Sequence, residues 1–118
     1  MRILFISNYS QLYGANRSML TIIEHFKEKG HDISLILPQD GEICALLDQK
    51  NIHYKIINCF TQLYYYKFQW KYLSLPLLRL LFLLKLPILK EYAKKFNPDL
   101  IYSNTSAENI GIKIARSL

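Results

Sequence analysis

Glycine is scarce in this sequence, four residues in 118, and that scarcity limits what the chain can bind. A dinucleotide fingerprint needs three glycines spaced G-x-G-x-x-G, yet the loop after the first apolar run holds Gly14 alone. A lysine-bearing phosphate loop is absent too. The second apolar run ends Leu37-Pro38-Gln39, with no acid to hold a ribose. An NAD or ATP site is therefore a poor fit, and no cofactor is expected. Cysteine is just as sparse: Cys44 and Cys59 have neither metal-site nor redox spacing and read as buried or partly buried thiols in a reducing compartment. His25, His31 and His53 are scattered and form no cluster with carboxylates, so no metal site is expected. Met1-Arg2 precedes only a short apolar run before polar Ser7, too little for a signal peptide, which predicts a cytoplasmic chain. Repeats and low-complexity linkers are also missing, and the length suits one domain.

What is present is a succession of strand and helix patterns. Ile3-Leu4-Phe5-Ile6 is too short for anything but a strand, and Met19, Leu20, Ile22, Ile23 and Phe26 follow with helical period up to Gly30. Ile33 to Leu37 is a second strand, closed by Pro38 and the turn Asp40-Gly41; Ile43, Leu46 and Leu47 mark a short helix; Lys55 to Ile57, after Tyr54, is a third strand. The chain from Asn58 to Tyr72 reads as irregular and aromatic-rich. Asn97-Pro98-Asp99 is a turn, Leu100-Ile101-Tyr102 a fourth strand, and Thr105-Ser106-Ala107-Glu108 has the spacing of a capping box before a last helix through about Ser117. Strands alternating with helices imply a parallel α/β sheet with right-handed crossovers and helices on both faces, in the order 3-2-1-4. In that order the loops after strands one and four are neighbours and converge on one crevice at the carboxyl ends of the strands, where ligands sit in such folds. The candidate binding residues are thus Asn8, Gly14, Ala15, Asn16 and Arg17 from the first loop and helix mouth, and Ser103, Asn104 and Thr105 from the second. Gly14 lets a ligand approach the backbone, and Asn16 and Arg17 offer an amide and a guanidinium to hydroxyl or phosphate oxygens. No residue stands out as catalytic.

The net charge of +6 has a definite location. Between residues 64 and 95, Lys67, Lys71, Arg79, Lys85, Lys90, Lys94 and Lys95 stand against Glu91 alone, while the rest of the chain is balanced. Within this segment Leu73 to Leu89 is apolar except for Ser74, Arg79 and Lys85, and contains Pro76 and Pro87; charges near its middle argue against a membrane span. At about 100° per residue Arg79, Lys90 and Lys94 share an arc, whereas Leu77, Leu80, Leu81, Leu84 and Ile88 face away from it. The segment reads either as a helix packed under the sheet with solvated lysines or as one lying on an anionic lipid surface, with Lys67, Trp70, Lys71, Arg79 and Lys85 as contacts. Nucleic acid is disfavoured, because the cations are embedded in leucines rather than in a polar recognition face.

Taken in order, Gly14-Ala15-Asn16-Arg17 on the first helix, Lys29-Gly30-His31-Asp32-Ile33 leading into the second strand, and Asn97-Pro98-Asp99-Leu100-Ile101-Tyr102-Ser103-Asn104 around the fourth resemble the N-terminal domain of family-4 glycosyltransferases of the GT-B fold. The resemblance covers essentially the whole chain but only the first part of such an enzyme. It implies a Rossmann-like three-layer domain, here an incomplete one, that holds the acceptor side of a cleft whose other wall is a C-terminal, donor-binding domain. The activity it implies is transfer of a sugar from a nucleotide-sugar to a glycan or lipid-linked acceptor, with Gly14 and Ala15 beside the donor diphosphate and Arg17 near phosphate or acceptor. Histidines are common after the fourth strand in that family; here Tyr102 and Asn104 stand in their place. The C-terminal domain and its paired glutamates are not in this sequence, so the chain is expected to be inactive alone. Lipid-linked acceptors in the family favour a peripheral place on the inner face of the plasma membrane. A reading of another class is a non-catalytic α/β binding or membrane-interaction module paired with another subunit. In either case the edge left by the fourth strand predicts a homodimer or another partner covering it.

Overall fold

The computed structural model describes residues 1–7, 10–57, 71–104 and 110–118, without the side chains at 71–79, 81, 82 and 110. Asn8, Cys59, Lys67, Trp70 and Thr105, with the capping-box residues 105–108, lie outside the described residues, as do the side chains of Lys71 and Arg79. The elements run β1 (Arg2–Ile6), α1 (Gly14–Glu28), β2 (Asp32–Leu37), α2 (Glu42–Gln49), β3 (His53–Ile56), α3 (Lys71–Phe96), β4 (Leu100–Ser103) and α4 (Ile110–Ser117). The four strands are parallel in the order β3-β2-β1-β4, with Ile3 opposite Ile33 on one side and Leu100 on the other. The fold is Rossmann-like α/β in three layers.

Side-chain alternation along the strands builds the two cores. Ile3 and Phe5 of β1 and Leu35 and Leu37 of β2 point to one face, where they are buried against Met19, Leu20 and Ile23 of α1 and Ile43, Cys44 and Leu47 of α2. Leu4, Ile6 and Ile36 point to the other face, against Leu89 and Ala93 of α3 and Ile114 of α4. Because β1 is covered on both faces, its sequence reads as a continuous apolar run rather than an alternating one. Ser34 is the polar exception on the α3 face, and its hydroxyl meets the Tyr92 hydroxyl at 2.6 Å, which satisfies both groups.

Helix ends are set by residues that accept a left-handed backbone. Gly30, at φ +83°, follows α1, with its N–H donating to the Lys27 carbonyl and the His31 N–H donating to Phe26. Asn97, at φ +51°, does the same for α3, its N–H donating to Ala93 at 2.8 Å before Pro98 stops the helix.

In α3 the packing differs from the arcs read off the sequence. Leu86, Leu89, Tyr92, Ala93 and Phe96 meet the sheet, whereas Leu80, Leu83, Leu84 and Ile88 are exposed. The segment is apolar nearly all round, so periodicity does not select its buried face. Instead the choice falls to strand length, since strands of four to six residues cover only about 13–20 Å of a helix of 26 residues, about 39 Å long. Among the described residues no helix is long and apolar enough to cross a membrane.

This arrangement predicts unequal costs for two leucines five residues apart. Leu89→Ala lowers the unfolding free energy by about 2–5 kcal/mol through a buried cavity, and Leu84→Ala changes it by less than about 0.5 kcal/mol, as read from urea denaturation midpoints.

Candidate functional site

At the carboxyl edge of the sheet the chain leaves β1 through Ser7 and re-enters regular structure at Gly14, while β4 ends beside it at Ser103. The two segments are joined by the side chain of Asn16, which is fully buried in the first turn of α1. Its Oδ1 accepts from the Ser7 hydroxyl (2.7 Å) and from the Asn104 Nδ2 amide (2.8 Å), and its Nδ2 donates to the Gln11 carbonyl (2.8 Å). The Asn104 backbone N–H donates to the Ile6 carbonyl at 2.9 Å, extending the β1–β4 ladder one step past the strand. Asn16 and Asn104, singled out from sequence as ligand groups, are thus brought together. The Asn16 amide serves to position the loops, since it has no exposed surface to offer a ligand.

Tyr13 occupies the cap position of α1 without a side-chain hydrogen bond to the helix, and the first turn contains no acid. The amides of that turn and the helix dipole therefore present positive character to the crevice. Gly14 and Ala15 are exposed, and among the described residues nothing lies within 4 Å of a Cβ built on Gly14. Arg17 Nε donates to the Leu12 carbonyl at 2.8 Å, which holds the exposed guanidinium against the loop preceding its own helix. Ser103 is exposed at the end of β4 and Asn104 half-buried.

Sequence reasoning missed the third wall. The chain after β2 crosses the β1 loop so closely that a Cβ on Gly41 would lie 2.6 Å from the Ser10 Cβ and 2.7 Å from its carbonyl oxygen. Ser10 is buried; its hydroxyl donates to the Gln39 carbonyl and its carbonyl accepts from the Ile43 N–H at 3.2 Å. Glycine is required here by approach, because the backbone at φ −176° is ordinary extended chain. The Asp40-Gly41 pair signalled only a turn, and nothing local in the sequence reports which loop it touches. Tyr102 takes no part in the crevice, since its ring packs on Phe5 with centroids 5.1 Å apart.

Two reactive side chains, Cys44 and Tyr54, are not poised for chemistry near neutral pH. Burial raises the Cys44 thiol above its ordinary 9.0, opposed by a backbone hydrogen bond at Gly41 and reinforced by the Asp40 carboxylate. Desolvation of Tyr54, with its hydrogen bond to Asp48, pushes the phenol up to about 12. Both groups stay protonated, as structural side chains rather than nucleophiles or bases. Among the described residues no group of three or more His, Cys, Asp and Glu side chains is arranged to hold a metal ion.

No protein-family model, curated protein or solved structure matches the chain.

The geometry of the third wall sets an expected outcome for two glycines. Gly41→Ala, forcing Ser10 aside, lowers stability by about 1–3 kcal/mol. Gly14→Ala, with open space and a helical position, stays within about 1 kcal/mol of the parent chain, both read by thermal and urea unfolding.

Proposed function

We propose that this chain forms the acceptor side of a GT-B-type glycosyltransferase, acting with a donor-binding domain or partner subunit that closes over the crevice between the β1 and β4 loops. The observation that carries the reading is the Asn104–Asn16 hydrogen bond, which fixes the end of β4 beside the start of α1, whose first turn holds no acid. A nucleotide-sugar diphosphate set against that helix mouth meets backbone N–H donors and the positive end of the dipole. Arg17 adds a guanidinium suited to phosphate oxygens, and the open space above Gly14 lets the diphosphate lie against the backbone. Ser103 and Asn104 supply hydroxyl and amide groups to sugar or acceptor hydroxyls.

In the transfer step the anomeric carbon separates from the diphosphate oxygen, which keeps the bonding electron pair. The same carbon bonds to the acceptor oxygen, whose proton passes to the departing diphosphate. This half of the site contributes by holding acceptor and leaving group in line and by stabilising the charge that develops on the diphosphate. The acceptor is a glycan or a lipid-linked sugar, and no protein-held metal is needed for this division of labour.

Titration of the isotope-labelled chain with uridine diphosphate, followed by amide chemical shifts, tests the reading. Binding in the millimolar range is expected to move the amides of Gly14, Ala15, Arg17 and Asn104. Arg17→Ala weakens it roughly five-fold, the effect of one exposed charge-assisted bond. Gly14→Ala, which leaves the fold intact, abolishes it by filling the approach. Shifts confined to other surfaces, or a Gly14→Ala chain that binds as the parent does, contradict the proposal.

A further inference from the structure

α3 is longer than the sheet it covers, and its described contacts with the core come from its C-terminal part alone, from Leu86 to Phe96. As a crossover between the parallel strands β3 and β4 it runs opposite to them, so its earlier turns extend past the carboxyl edge of the sheet. That is the edge at which the β1 and β4 loops meet. The solvent side of α3 there is not polar. Leu80, Leu83, Leu84 and Ile88 are exposed at 54%, 59%, 61% and 45%, and at about 100° per residue they fall in one arc. Exposed apolar side chains gathered on one face mark an interaction surface rather than scattered surface residues.

Charge identifies what that surface meets. Lys90, Lys94 and Lys95 follow the leucines toward the C-terminus of α3, Lys94 and Lys95 in the same arc, with Glu91 between them, and Lys90 at its margin, roughly half a turn to two turns past Ile88. Glu91, paired with Lys95 at 3.1 Å, is the single acid of α3, and among the described residues no carboxylate pairs with Lys90 or Lys94. A second copy of the chain docked through the same face would bring together two helices that each carry six basic residues against one acid, a like-charge contact. An anionic bilayer instead converts the same charges into attraction, with leucines at the acyl boundary and lysine stems reaching back to the phosphates. No described helix is long and apolar enough to span, so α3 lies along the surface.

We propose that the leucine face of α3, with the lysines that continue it toward the C-terminus, docks the chain on an anionic lipid bilayer, with the loop-lined edge of the sheet toward the headgroups. The docking does not rest on sugar transfer, and its assay needs neither nucleotide nor acceptor, so each proposal fails separately.

The test is flotation of the 118-residue chain with vesicles of phosphatidylcholine alone and of phosphatidylcholine mixed with phosphatidylglycerol. The chain is expected to float with the mixed vesicles only and to dissociate as salt is raised. Removing two charges in Lys90→Gln/Lys94→Gln weakens binding roughly 25-fold, about five-fold per lysine. Leu80→Gln/Leu84→Gln abolishes flotation with an unchanged melting temperature; should that pair disturb folding, the lysine variant and the salt titration decide. Absence of flotation with either vesicle, or equal flotation with both, overturns the proposal. A dimer in light scattering that the leucine variant dissolves, without vesicle binding by the parent, overturns it in favour of self-association.

Discussion

The structure at the loop-bearing edge depends on one buried amide. Asn16 has no exposed surface, and burying an amide without partners costs roughly 1–3 kcal/mol per unmade bond. It is tolerated because Ser7, Gln11 and Asn104 approach it from three segments of chain. The dependence is mutual. A shift of β4 relative to β1, or of α1 along its axis, breaks at least one of these bonds inside the protein, so strand register, helix start and loop course are locked together. The consequence for function is a fixed distance between the α1 amides and the residues that end β4, which a site acting by orientation requires.

The layers on either side support that edge in different ways. α1 and α2 are fully engaged with one face of the sheet, and α2 is pulled in tightly by the contact of Gly41 with Ser10. On the other face the described packing of α3 comes from its C-terminal part, and the Tyr92–Ser34 bond satisfies the polar residue it covers. Leu80, Leu83, Leu84 and Ile88 of the same helix stay exposed, which no core argument explains.

Much of the architecture was legible because it follows from short-range rules. Ile3 to Ile6, Ile33 to Leu37 and Leu100 to Tyr102 stand as strands within a residue or so of their predicted bounds, and the alternation of strand and helix gave the sheet order. The helical period ends at Gly30, and the structure ends α1 there with that glycine in a left-handed conformation. The burial of Asn16 also had a signal: with Met19, Leu20 and Ile23 it completes a 3.6-residue apolar stripe, and a polar residue in such a stripe must find partners inside. What the sequence could not show were distances between segments remote in the chain. Gly14 drew attention as the loop glycine, yet the close approach is at Gly41. For α3 leucines occupy nearly every direction, so the pattern carried no information about which of them the sheet would take.

The most direct measurement is a double-mutant cycle on Asn16→Ala and Asn104→Ala by urea unfolding. If the amide of Asn16 binds the two loops into one unit, the cycle gives a coupling energy of about 1 kcal/mol or more. Effects that add to within about 0.3 kcal/mol would mean that the β1 and β4 loops are energetically independent, and the convergent site would lose its basis.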